Sequence, residues 1–476
     1  MYAGLDFGTS NCSIGIMQDG QPTLIPLEDG KTRLPSCLFI EKESNDPVML
    51  SDAEITKRVH ALKTQAAQHK TPLNHEALIT IARKQLRKER REQTVNSKRA
   101  QSIVEALRAN GDVLFGEEAE LSHVTEPENG FYIKSPKSFL GADINAAQKQ
   151  VFSGIVEKML AFIKQEAQYV KQIEIKQIVI GRPVNFHGLL GRDGNAQAID
   201  IIDTAARKVG YEQVEFLMEP VAAAYDYERQ LNQDKLVLIL DLGGGTTDCS
   251  MIQIGPSYVN QQDRQKGILS HTGQRIGGID LDNKLALMCL MPHFGKNVVL
   301  NNGLPVPNHL FKQAVSVNDV SAQQDFNLPR TGKELTRYCT MTSDPRLQRL
   351  LTLRDGKFGL RISRSAELAK ILLSEHMNIQ LPLQYIEQDF AVSISRTELA
   401  DSIADELSKF EILMTEAIKQ AGAQPDALYV TGGTAMSPVI QQWIHSVFPD
   451  LEVIIGDHFG SVTSGLTTHA QRLFGN

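Results

Sequence analysis

The chain has 476 residues, 42% of them hydrophobic, and a formal net charge of −7. That length is too great for one compact core and suits two lobes or several subdomains, while the hydrophobic content is that of folded protein. The acidic balance argues against general nucleic-acid binding, and no apolar run is long enough to span a bilayer.

Taken in chain order, the first pattern is a strand from Tyr2 to Leu5, a tight turn at Asp6-Phe7-Gly8-Thr9-Ser10, and a returning strand from Cys12 to Met17. Asp6 interrupts the N-terminal apolar run before signal-peptide length, so a cytoplasmic location is expected. Residues 41–130 are polar, with irregular helical stretches. They hold a basic run from Arg83 to Arg91 that continues to Lys98 and Arg99, read as a solvated helix face rather than a nucleic-acid site because no aromatic platform accompanies it. A strand follows at Ile175 to Ile180, then a turn at Gly181-Arg182-Pro183 and a helix expected to bury Ile199, Ile202, Ala206 and Val209.

The opening pattern then returns. Leu236 to Leu240 is continuously apolar, as a strand covered on both faces must be, and delivers Asp241-Leu242-Gly243-Gly244-Gly245-Thr246-Thr247-Asp248 before a second strand through Ile254. Two lobes that begin alike suggest an internal duplication. Residues 290–345 read as a further polar elaboration. Ser395 and Glu398 have capping-box spacing, and Leu399, Ile403, Leu407, Phe410, Met414 and Ile418 form a helical stripe that stops at Gly422. A strand from Ala427 to Thr431 then meets Gly432-Gly433. Strands alternating with helices mean an α/β architecture. The five cysteines lack Cys-x-x-Cys spacing and read as small apolar side chains rather than a metal or disulfide framework.

The two turns carry the chemistry. A phosphate can approach a backbone closely only where side chains are absent, and successive free N–H groups in a tight turn form a concave anion site; Gly8 and Gly243 to Gly245 provide this. Asp6 and Asp241 stand at strand ends, placed to hold the water shell of a magnesium ion that takes its other ligands from phosphate. Thr9, Ser10 and Thr246 can donate to phosphate oxygens. Gly432 and Gly433 precede a helix, whose N-terminal amides suit phosphate or ribose.

These segments resemble those of the seventy-kilodalton heat-shock chaperones. Gly4-Leu5-Asp6-Phe7-Gly8-Thr9-Ser10-Asn11 is similar to the family's first phosphate motif and Asp241 to Asp248 to its second. Glu219-Pro220-Val221-Ala222-Ala223-Ala224 resembles the connecting-helix motif, Gly277 to Asp282 a loop of the second lobe, and Tyr429-Val430-Thr431-Gly432-Gly433-Thr434 the adenosine motif. The shape is that of the short YegD-type members. The resemblance implies an actin-like ATPase fold of the duplicated ribonuclease H type, two lobes around a nucleotide cleft. Lobe I would span 1–230 with an elaboration at about 41–130, lobe II 231–456 with one at about 280–390, and a helix in 457–476 would return to lobe I.

The resemblance also implies ATP or ADP with Mg2+, and K+ as a further candidate ion. It makes Lys137, in Ser135-Pro136-Lys137-Ser138-Phe139, the lysine that approaches the γ-phosphate. Pro183 and Glu219 match residues that connect the nucleotide site with lobe movement, Glu219 also lying near the attacking water, and Asp248 would accept a proton from that water or orient it, with Thr246 helping to place it. Asn11, Thr434 and Asp457 fall in or beside the nucleotide motifs, and Glu367, Lys370 and Ser374 match residues that meet ribose and adenine. The family's two adenine-stacking arginines are replaced by Ile371 and Met436, which would cover a base through dispersion. No peptide-binding β-sandwich is expected within this length. The expected function is slow ATP hydrolysis driving lobe movement, with a protein partner or client. Two alternatives are a nucleotide-gated scaffold with little hydrolysis, and a small-molecule kinase in which Asp241 or Asp248 acts on a substrate hydroxyl.

Overall fold

A computed structural model describes residues 1–42, 54–59, 79, 82, 86, 106–107, 113–126, 129–186, 191–259, 261, 264–456 and 460–475. The basic run from Arg83 to Arg99, Leu86 apart, and Asp457 lie outside them. The chain forms two compact units: one comprises Met1–Leu38, Phe115–Thr125 and Tyr132–Asn476, the other Phe39–Leu114 and Glu126–Phe131. In the second unit the described residues include a helical stretch at 54–59 and a small apolar cluster of Val59 and Ala82 with Ile55 and Ile79.

The large unit is built on two sheets of matching topology. The first has the order Gln21–Leu24, Asn11–Gln18, Tyr2–Phe7, Gln177–Arg182, Gln213–Met218, with the short strand Leu34–Pro35 also on Asn11–Gln18. The second runs Ile268–Gln274, Thr247–Ile254, Lys235–Leu242, Ala427–Thr431, Glu452–Ile455. In each, an antiparallel hairpin leads and parallel strands follow. The duplication reaches single residues. Asp6 pairs with Ser13 across the first hairpin and Asp241 with Asp248 across the second.

Lys235–Leu242 is buried from Val237 onward, which its unbroken apolar run requires. The helix Gly191–Lys208 buries Ala198, Ile201, Ile202, Ala205 and Ala206. Ile202 and Ala206 of the expected stripe are buried, but Ile199 is only half-buried and Val209 lies past the helix end; Ala198, Ile201 and Ala205 complete the buried face instead. In Arg396–Ala421 the capping box of Ser395 and Glu398 forms, Gly422 closes the helix at φ 65°, and the buried stripe ends on Ala417, with Ile418 half-buried.

The region 280–390 is mostly helical, and its apolar residues, among them Phe294, Phe311, Leu335, Leu350 and Ile362, join one core with the second sheet. Two helices bridge the sheets. Glu219–Glu228 lays Val221, Ala223, Ala224 and Tyr227 against Val237, Ile239, Ile252 and Tyr429 of the second sheet. Its Ala222 meets Leu466 and Ala470 of the helix Ser461–Phe474 beside Val179 of the first sheet. The helices cross so closely that a β-carbon at Gly465 would collide with the backbone of Ala222.

Candidate functional site

The two glycine turns face each other across a cleft of about 1120 Å3 whose walls carry residues from both sheets. A β-carbon at Gly244 would strike the Ser10 side chain, and one at Gly245 would lie 2.7 Å from Thr9 Cγ2. Glycine is therefore needed for the turns to meet with their amides uncovered. The second turn is braced from behind: Gly278 N–H donates to Gly243 O at 2.9 Å and Ile279 N–H to Gly244 O at 2.8 Å. This gives the Gly277 to Asp282 segment a structural task.

At the cleft floor Lys137 sits in the 3-10 turn Pro136–Phe139, entered through Ser135 in the left-handed region. The lysine is buried, 4% exposed, and its Nζ donates to Glu219 Oε1. Burial pulls its pKa down, but Glu219 and Asp6 outweigh this and the net shift is upward, so the ammonium form is held. Glu219 opens the bridging helix just before Pro220, a proline fit for the first helical turn.

Three aspartates complete the floor. Burial pushes the Asp6 carboxyl up to about 7, with repulsion from Glu219 adding to it and Lys137 opposing. Asp241 is raised well above the usual carboxylate range, by burial first and then by Glu219, Asp248 and Asp6. Asp248 is pushed up to about 8 by burial and by Glu219, while the Val184 N–H and the Thr246 hydroxyl that it accepts act against the shift. Arg182 is near enough to Glu219 and Asp248 for both to counter the fall that burial imposes on its pKa. Four carboxyl groups share one buried lysine and the nearby Arg182, and the repulsion that raises three of them is of a kind that a cation in the cleft would relieve. Among the described residues no group of three or more His, Cys, Asp or Glu stands close enough to bind a metal directly.

On the other wall, the helix Gly359–Glu375 presents Glu367 and Lys370 to the cleft. Lys370 Nζ donates to Gly278 O at 3.0 Å and pairs with the buried Asp282 at 2.8 Å. Glu367 accepts from Lys134 at 3.2 Å and from Arg364 at 2.8 Å; burial pushes its carboxyl up, but these cations prevail and hold it at about 2. Ser374 does not line the cleft and turns back onto Lys370 O at 3.3 Å. Gly432, at φ 89°, turns the chain from the strand Ala427–Thr431 into a 3-10 turn, Gly433–Met436, rather than directly into a helix. Gly432, Gly433 and Thr434 line the cleft with Asp6, Gly8, Thr9, Ser10, Asn11, Glu219, Asp241, Gly243, Gly244 and Thr246. Lys137, Asp248 and Gly245 lie in the layer beneath. Ile371 and Met436 are 52% and 45% exposed, available to cover a planar group.

A family model described as Hsp70 protein matches residues 117–301 and 341–453, more than half of the chain. The chain belongs to the Hsp70 family. With its two matching sheets around one cleft, this Hsp70-family chain has the actin-like ATPase fold. It is similar to proteins named chaperone protein dnaK: 22% identical to that of Gracilaria tenuistipitata var. liui over 95% of this chain and 59% of the relative. The figures are 23%, 95% and 60% for Thalassiosira pseudonana, and 21%, 95% and 58% for Guillardia theta. The chain therefore spans about three fifths of the length of these curated relatives. Among its described residues no helix is long and apolar enough to cross a membrane.

Three further residues stand at this candidate site without a signal in the sequence. Asp282 stood inside a quoted motif without a role, and Arg182 stood inside a turn. Lys134 reaches Glu367 across 233 residues of sequence, a distance at which spacing carries no signal.

Proposed function

We propose that the chain binds Mg–ATP between its lobes and hydrolyses it slowly to ADP and phosphate, lobe movement following the nucleotide state. The observation that carries this reading is the convergence of two glycine-containing turns above the buried Lys137–Glu219 pair and Asp248. Phosphates would rest on the amides of Gly8 to Ser10 and Gly243 to Gly245, with Thr9, Ser10 and Thr246 donating. Asp6 and Asp241 would hold the metal ion through its waters; bound there, it neutralises phosphate charge.

Lys137, as a fixed point charge, stabilises charge on the transferred phosphoryl group. A charge about 4 Å from a phosphate oxygen contributes on the order of 4 kcal/mol at an effective dielectric near 20, before desolvation. Glu219 and Asp248 orient the attacking water. Its oxygen bonds to the γ-phosphorus, the bond from that phosphorus to the β–γ bridging oxygen breaks with the electron pair staying on ADP, and both protons of the water leave with the phosphate as dihydrogen phosphate. Glu367 and Lys370 would face the ribose, Ile371 and Met436 would flank the adenine, and Asn11 would complete the nucleotide contacts. K+ is a further candidate ion. The partner would be a protein, and the location the cytoplasm.

The experiment is phosphate release from Mg–ATP by the purified chain, repeated with Lys137→Ala. Loss of turnover with nucleotide binding kept supports the assignment; an unchanged rate removes Lys137 from the mechanism. The exposed, uncharged Ile371 and Met436 favour a second reading, a nucleotide-gated scaffold. It predicts a nucleotide-dependent thermal shift without release.

A further inference from the structure

Asp248 receives a hydrogen bond from the opposite lobe. The loop after the strand Gln177–Arg182 brings Val184 N–H to Asp248 Oδ1 at 3.1 Å, and the next residue, Asn185, donates from Nδ2 to Gly273 O at 3.2 Å. Gly273 is the cross-strand partner of Asp248, so the two links meet lobe II side by side. The approach depends on glycine: a β-carbon at Gly273 would collide with Asp248 Oδ1 and lie 2.9 Å from Val184 Cβ.

One side chain fixes the loop. Asn195, on the helix Gly191–Lys208, accepts Phe186 N–H on Oδ1 at 2.7 Å. Its Nδ2 donates to Val184 O at 3.2 Å and to Asn185 Oδ1 at 3.1 Å. The three bonds use both ends of the amide and admit only one orientation of it, since the backbone N–H requires the oxygen and the carbonyl requires the nitrogen. They hold residues 184, 185 and 186 in succession, and residues 184 and 185 are the ones that cross to lobe II.

We infer that Asn195 is a positioning residue for hydrolysis: it clamps the 184–186 loop so that the Val184 N–H seats the Asp248 carboxylate only when the lobes are in register. The inference rests on the hydrolytic reading above. Asn195 touches neither nucleotide nor water; it acts through the loop. With the Val184 N–H and the Thr246 hydroxyl both bound, the Asp248 side chain has one defined direction, whereas loss of the N–H leaves it pinned by Thr246 alone and orients water less well. Opening the lobes at their base would break both links together, so turnover would report lobe register without any change at the phosphate turns.

The test is single-turnover ATP hydrolysis and nucleotide affinity for four proteins: wild type, Asn195→Ala, Asp248→Asn and the double variant. Asn195→Ala should slow hydrolysis about ten- to a hundredfold with affinity changed less than about threefold. In the Asp248→Asn background the same substitution should cost less than about twofold, because the group it positions is gone. Equal losses in both backgrounds would mean a general structural role and overturn the inference. Asn195→Asp, which keeps the acceptor for Phe186 N–H and has no donor for Val184 O, should fall between wild type and alanine. If Asn195→Ala does not fold, Gly273→Ala attacks the same contact from lobe II and should likewise slow turnover; an unchanged rate there is contrary. Absence of release by the wild type would overturn the hydrolytic reading itself, whereas release that Asn195→Ala leaves untouched overturns only this inference.

Discussion

Burying a charge is tolerated when a partner stands ready, and the cleft floor and the back of the molecule meet that requirement differently. At the floor Lys137 answers Glu219, and the excess of carboxylates is left for a cation. At the back His469 solves the problem by staying neutral. Its ring lies 5.9 Å from that of Tyr225, and burial, reinforced by Arg472 and Arg264, pulls its pKa down to about 4. Above pH 6.5 the residue is neutral in both folded and unfolded chains and has no effect on stability. As pH falls from 6.5 through 4, the unfolded chain takes up a proton that the folded one refuses, and stability drops by up to about 3 kcal/mol. His469→Phe should remove this component. Urea unfolding across that range should show the wild-type deficit growing relative to the variant, and a difference that stays flat contradicts the assignment. Among single residues, those at strand ends were legible in the sequence because the same aspartate–glycine turn follows an apolar run twice, whereas one such turn alone would read as an ordinary hairpin. The burial of Lys137 and the ion pair of Lys134 were not, since both depend on which distant segments meet.

The helix Glu219–Glu228 ties the cleft to the back of the molecule. It starts at the partner of Lys137 and ends at Glu228, which is fully buried, accepts from Arg264 at 2.6 Å and Gly255 N–H at 3.1 Å, and pairs with Arg472 at 3.3 Å. Arg264 and Arg472 also lie over the Tyr225 ring, 4.6 and 5.0 Å from its centroid. Glu228→Ala would strand two guanidinium groups and should cost about 3–5 kcal/mol, measurable by chemical denaturation; a loss under about 1 kcal/mol would mean that water replaces the carboxylate. Across the cleft mouth, Lys134 on the strand Gly130–Lys134 reaches Glu367, and Arg364 stands 3.6 Å from Glu120 on the helix Gly116–Thr125. These partly exposed pairs are weak singly, yet under the proposed function they would stand in the path of a leaving nucleotide. Lys134→Ala should speed release of a fluorescent nucleotide several-fold in stopped flow, and an unchanged rate would place the pair outside the exit path. Element types were legible wherever period and caps agreed, as in Arg396–Ala421. On Gly191–Lys208 the expected face was right at Ile202 and Ala206 and missed Ala198 and Ala205, since alanines carry little hydrophobic signal.

At the scale of the whole molecule, the repeated hairpin made the duplication legible, and the two sheets show it in strand order and in the pairing of Asp6 and Asp241. The helices of 280–390 were harder to read because their sequence is polar outside and contributes apolar residues singly to a core shared with the second sheet. The central claim is that this cleft binds Mg–ATP and turns it over. The measurement that tests it most directly follows thermal stability and phosphate release on one sample with Mg–ATP, for the wild type and Lys137→Ala. At a hundredfold excess over Kd, binding should stabilise both proteins by about 2.7 kcal/mol, and slow release should occur in the wild type alone. A melting temperature that Mg–ATP does not move, with no phosphate released, would contradict the account.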